Sequence, residues 1–110
     1  MPKDRSYLDF ILHDVLKDIS RVSAKAMFGG WGLYLDGIIF GIVIDGEFYV
    51  KAADADSDRL KRLGSRPFAY RRRRREVALP YWLVPGPLLD EPENLVELVR
   101  RATASPARRQ

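Results

Sequence analysis

Cysteine is absent from this 110-residue chain, which removes disulfides, zinc–thiolate sites and thiol nucleophiles together. Histidine occurs once, as His13, so no pair of imidazoles can gather a metal or share a proton. No apolar run approaches the ~20 residues that a membrane span needs. The start, Met-Pro-Lys-Asp-Arg, leads into an amphipathic stretch without a long apolar centre and does not read as a signal peptide. A reduced cytoplasm is the compartment these absences fit. Acidic residues are also missing locally, with none between Arg59 and Arg75.

That gap organises the charge. The segment holds nine of the nineteen basic residues: Arg59, Lys61, Arg62, Arg66 and the run Arg71, Arg72, Arg73, Arg74 and Arg75. The remaining ten face fifteen acidic residues, so outside the segment the chain is net acidic, at −5. The protein has a basic patch rather than a basic character. A hydrophobic fraction of 46% suits one globular domain with its own core.

Periodicity gives an order of elements. Leu8, Ile11, Leu12, Val15, Leu16 and Ile19 recur at helical spacing over residues 5–20. Ser23 to Phe28 is a short transition with some strand character. A meander begins at Gly32–Leu35, and the dipeptides Asp36-Gly37 and Asp45-Gly46 predict tight hairpins, because a type I′ turn needs positive φ twice. The strand between them, Ile38 to Ile44, is apolar on both faces and predicts cover on both, by helices and by a partner subunit. Glu47 to Lys51 is the next strand. Asp54 to Leu63 reads as a helix, with acidic residues leading, basic residues closing and Gly64 as cap. A second hairpin joins 67–72 to 75–84. Pro85-Gly86-Pro87 ends the sheet, Asp90 with Glu93 reads as a capping box, and Leu95, Leu98, Val99 and Ala102 mark a last helix. The expectation is an α+β, two-layer domain over 1–103 with a mostly antiparallel five-stranded sheet, order α-β-β-β-α-β-β-α, and a flexible tail over 104–110.

The densest motif is Met27-Phe28-Gly29-Gly30-Trp31-Gly32-Leu33-Tyr34, followed by Asp36-Gly37. Three glycines among large aromatics predict a kinked entry to a sheet, with positive φ at one of them. A phosphate-cradling loop is disfavoured, since the strand-turn-helix context and its lysine are lacking. This motif resembles the signature of the TfoX/Sxy N-terminal domain family. So do Phe68-x-Tyr70, Leu79-Pro80-Tyr81-Trp82-x-x-Pro85 and Asp90-x-x-Glu93-Asn94-Leu95. The resemblance implies a fold similar to type III secretion chaperones, a tendency to dimerise, and a link to competence and transcription regulation. Full-length members carry a second, helical domain, so the resemblance implies a single-domain member here. The chain departs from the family pattern where Arg71 to Arg75 replace a glycine among mixed charges.

No nucleophile–base–metal constellation stands out, so no enzyme and no cofactor are expected. Asp54, Asp56 and Asp58 lack the glycine and glutamate of a calcium loop and read as a helix start. The leading functional reading is a non-enzymatic regulatory or protein-interaction domain, homodimeric and with a protein partner in transcription regulation. A second reading is a weak, sequence-independent nucleic-acid module using Arg66 and Arg71 to Arg75, with Tyr70, Tyr81 or Trp82 for stacking. Against it stands the reading of a solvated, charged hairpin tip. A third is a small-ligand pocket lined by Phe28, Trp31 and Tyr34.

Overall fold

The computed structural model describes residues 5–27, 29–52, 54–72 and 75–104. Six strands form one antiparallel sheet: β1 (Val22–Met27), β2 (Gly30–Leu35), β3 (Ile38–Ile44), β4 (Glu47–Lys51), β5 (Pro67–Arg72) and β6 (Arg75–Leu83). Their spatial order is β1-β2-β3-β4-β6-β5. The expected count of five is thus one short. The transition segment is a full strand, paired in unbroken register from Val22↔Leu35 to Met27↔Gly30. Its small and polar residues give little hydrophobic alternation, so pairing with β2, rather than its own pattern, makes it a strand.

Both Asp-Gly hairpins have the predicted geometry. Asp36 and Gly37 have φ of 51° and 83°, and Asp45 and Gly46 have 54° and 71°. Between β2 and β3 the register breaks. Leu33 faces Gly41 but Tyr34 faces Ile39, so Phe40 is an inserted residue and joins the core, fully buried.

The helices are α1 (Arg5–Phe10), α2 (Asp54–Arg62), α3 (Gly86–Leu89) and α4 (Pro92–Ala104). The expected single helix over 5–20 is instead α1 running into a π-helical turn, Ile11–Val15, closed by the Leu16 N–H donating to the Ile11 carbonyl at 2.8 Å. Gly64, at φ 93°, caps α2 as predicted. Its N–H donates to the Lys61 carbonyl, and the Ser65 N–H reaches back to Leu60. The last helix starts later than the capping-box reading placed it. Pro92 is its first residue, and the Glu91 carbonyl takes the Asn94 and Leu95 N–H groups. It runs through Ala104; the rest of the expected tail, 105–110, lies outside the described residues.

One core lies between helices and sheet. Leu8, Ile11, Val15 and Leu16 enter it from the N-terminal helical segment, Leu60 from α2, and Leu95, Leu98 and Val99 from α4. Leu33, Phe40, Val43, Phe48 and Val50 meet them from the sheet. The Arg101 guanidinium grips Asp56 with Nε and Nη2 at 2.9 and 3.0 Å, tying α4 to α2. The architecture is therefore a two-layer α+β domain, with helices on one face of the sheet.

Candidate functional site: the helix-free face of the sheet

Side chains alternate across a strand, and residues paired across neighbouring strands share a face. Trp31, Val43 and Phe48 thus share the helix side, as do Leu33, Gly41, Val50 and Trp82. The other face carries Met27 and Lys25 from β1, Tyr34 from β2, and Ile39, Ile42 and Ile44 from β3. Glu47, Tyr49 and Lys51 follow from β4, with Tyr81 and Leu83 from β6. None of the apolar residues in this second set belongs to the helix-covered core. Ile42 and Tyr49 are nevertheless only 7% and 5% exposed. Neighbours on their own face close over them. The Phe68 ring meets Tyr49 edge-on at 5.1 Å, and Met27, Tyr34 and Ile39 crowd the space above Gly32. Partly buried Tyr34, Ile39, Ile44, Phe68, Tyr81 and Leu83 surround that centre on the same face.

The polar residues of the face are held in defined places. The Tyr49 hydroxyl donates to Glu47 Oε1 at 2.7 Å, and Arg66 Nη2 grips both carboxylate oxygens at 2.9 and 2.8 Å. The hydrogen bonds from Tyr49 and then Arg66 hold the Glu47 carboxyl below its ordinary value. Burial, followed by the bond to Glu47, pushes the Tyr49 phenol up to about 12. Burial also raises Tyr81, with the nearby Tyr34 adding to the effect. Lys25 lies with Nζ 5.3 Å from the Tyr34 ring centroid. Among the described residues Glu47 is the one carboxylate of this face, and Arg66 already neutralises it. Lys25 and Lys51 leave the rim positive.

The motif glycines separate by role. Gly29 has φ of 77°, as predicted for one of the three. Gly30 sits against β3, where a methyl group would strike the Val43 carbonyl oxygen. A methyl on Gly32 would stand 2.5 Å from Met27 Sδ, so that glycine makes a dip in the free face. Phe28 lies outside the described residues. Trp31 and Tyr34 point to opposite sides of the sheet and do not line one pocket. Trp31 is covered by the Arg5 guanidinium, 5.0 Å from its ring. A groove of about 290 Å³ lies elsewhere, between α4 and the β2–β3 turn, lined by residues that include Asp18, Arg21, Asp36 and Arg100. His13 is exposed on the π-helical turn.

The arginine candidates are divided as well. Arg66 is engaged by Glu47 and Tyr49 and is not free to reach a phosphate without breaking that pair. Arg71, Arg72 and Arg75 contribute backbone to the β5–β6 hairpin. Arg73 and Arg74 lie outside the described residues. In α2, Arg59, Lys61 and Arg62 are exposed, with Lys61 Nζ 5.3 Å from the Trp82 ring centroid. What sequence reasoning missed was the extent of the free face. Apolar Ile38 to Ile44 signalled it, but Tyr34, Phe68 and Tyr81 join only through the strand order.

An open antiparallel sheet with helices on one side and an aromatic, apolar surface on the other defines a compact α+β domain with a face available for contact. The chain belongs to the TfoX N-terminal domain family, whose model matches residues 14–105. It is 26% identical over 99 residues to the DNA transformation protein TfoX1 of Aliivibrio fischeri (strain ATCC 700601 / ES114). That alignment covers 90% of this chain and 47% of the relative, so the chain spans about half the length of the curated protein it matches.

Proposed function

We propose that this chain is a non-enzymatic regulatory domain that acts by protein contact in the control of DNA uptake, with the helix-free face of its sheet as the contact surface. The carrying observation is that face. Tyr34, Ile39, Ile44, Phe68, Tyr81 and Leu83 surround buried Ile42 and Tyr49, and among the described residues no helix covers them. Apolar area of this kind is stabilised by removal from water, at about 25 cal/mol per Å². The occupant is a regulatory protein presenting an apolar segment with acidic flanks. Lys25 and Lys51 on the rim complement such flanks, whereas Glu47 is already paired within the chain. Membership of the TfoX N-terminal domain family and the DNA-transformation relative support the regulatory setting.

The test is transcription of DNA-uptake genes in a host deleted for this gene. Transcript levels should fall on deletion and return with the parent chain. Unchanged levels in the deletion strain, under conditions that induce uptake, would contradict the regulatory role.

A further inference from the structure

The two edges of the sheet are built differently. At the outer edge beyond β6, β5 opens with Pro67, breaks register between Pro67 and Ala69, and ends in Arg71 and Arg72. Proline, a register break and charge are the devices that keep a sheet edge from pairing. β1 has none of them apart from Lys25. It contains no proline, and its pairing with β2 runs without a shift.

The free hydrogen-bonding groups of β1 can be assigned. The Asp36 N–H donates to the Arg21 carbonyl at 3.3 Å, which makes Arg21 and Asp36 a hydrogen-bonded pair next to Val22↔Leu35. Such pairs alternate along an antiparallel ladder. Ser23, Lys25 and Met27 therefore direct their backbone groups to β2. Val22, Ala24 and Ala26 direct theirs outward, and among the described residues no strand meets them.

We propose that β1 is a self-pairing edge, and that two copies of this chain join through it antiparallel about a twofold axis passing by Ala24. In that register Ala24 meets Ala24 of the second copy and Val22 meets its Ala26. Three hydrogen-bonded pairs form, about six N–H···O bonds by the antiparallel pattern. The second copy is the occupant that the side chains fit. Ser23 falls opposite Lys25 of the other copy, so the two Lys25 ammonium groups are not placed against each other, as they would be with the axis at Lys25. Val22, Ala24 and Ala26 lie on the helix side in both copies, and Ser23, Lys25 and Met27 on the free side in both. The twofold then runs perpendicular to the sheet. The result is a continuous twelve-stranded sheet with both helix layers on one side. The two free faces adjoin on the other side, so a partner meets a doubled surface. The pairing uses backbone groups at the sheet edge and stands apart from the partner contact proposed for the face.

Single-cysteine variants test this directly, because the chain has no cysteine of its own. In Ala24→Cys the two thiols meet across the axis, where paired Cα atoms ~5.5 Å apart lie within disulfide range. Mild oxidation should give a covalent dimer. Ala26→Cys places the thiols roughly four residue steps apart and should stay uncrosslinked. At roughly 100 μM chain, concentrated enough to populate a small interface, the parent should sediment as a dimer. Ala26→Pro, at an exposed edge position whose N–H points outward, should sediment as a monomer with an unchanged circular dichroism spectrum. Ser23→Glu should tighten the dimer by setting a carboxylate against Lys25 of the other copy. A monomeric parent, a dimer that persists in Ala26→Pro, or equal crosslinking of the two cysteine variants would overturn the proposal. Free-face variants away from β1, such as Ile44→Glu, should leave the dimer intact, so failure of the edge and failure of the partner reading are separable.

Discussion

At the scale of single residues, Glu47, Tyr49 and Arg66 couple the free face to pH. Glu47 titrates below its ordinary value in the folded chain, so its contribution is present above the unfolded carboxylate range and is lost as pH falls through the folded value. Tyr49 titrates above its ordinary value, at about 12. Its contribution is whole below the unfolded value near 10 and is lost as pH rises toward 12. Urea unfolding should therefore give a lower free energy at about pH 11 than at about pH 7, and Glu47→Gln should shrink that difference. An identical alkaline decline in the variant would detach Tyr49 from Glu47. The motif glycines give a second prediction. Gly29→Ala forces a side chain to φ 77° and should cost about 1 kcal/mol or more. Gly30→Ala drives a methyl into the Val43 carbonyl and should cost more, about 1–3 kcal/mol. Equal stability of the Gly30 variant and the parent, measured by urea midpoint, would remove the close-approach argument. Three glycines in a row of aromatics announced a constrained backbone. They did not say which constraint each meets, because positive φ and contact with a neighbouring strand select the same residue.

At the scale of elements, the parts with strong local chemistry were legible. Two Asp-Gly turns fixed the β2–β3–β4 meander, and Gly64 fixed the end of α2. β1 was harder, since Ser23, Ala24, Lys25 and Ala26 carry little propensity of their own and become a strand through β2. The π-helical turn at Ile11–Val15 had no signal beyond a helical spacing that both helix types satisfy. The β5–β6 hairpin carries the basic run, and its role is decided by salt. If the run reaches phosphates, log affinity for duplex DNA should fall with log salt at roughly −2 to −3, about −0.9 for each contact. Changing Arg72, Arg73 and Arg74 together to Ser should flatten that slope. Parent and variant binding alike would leave the run as a solvated turn, and absence of binding at low salt would end the nucleic-acid reading.

At the scale of the whole molecule, the layer arrangement matters most. Among the described residues the helical segments gather on one side, so the sheet has one face in the core and one outside it. The sequence reading anticipated a strand covered on both sides from Ile38 to Ile44. It had no means of drawing Tyr34, Phe68 and Tyr81 into the same surface, because that depends on β6 lying between β4 and β5. The Arg101–Asp56 tie belongs to the same category, linking residues 45 positions apart. Among the described residues no helix is long and apolar enough to cross a membrane.

The central claim is that this face makes the functional contact, and transformation frequency tests it most directly. A host deleted for the gene would be complemented with the parent, with Ile44→Glu, with Tyr34→Glu, or with Arg100→Ala on the exposed side of α4. A buried charge at a contact costs more than ~1.4 kcal/mol, which is tenfold in affinity. The account predicts that Ile44→Glu and Tyr34→Glu, folded and expressed like the parent, lower transformation by roughly tenfold or more, while Arg100→Ala restores it fully. Full restoration by both face variants would contradict the claim.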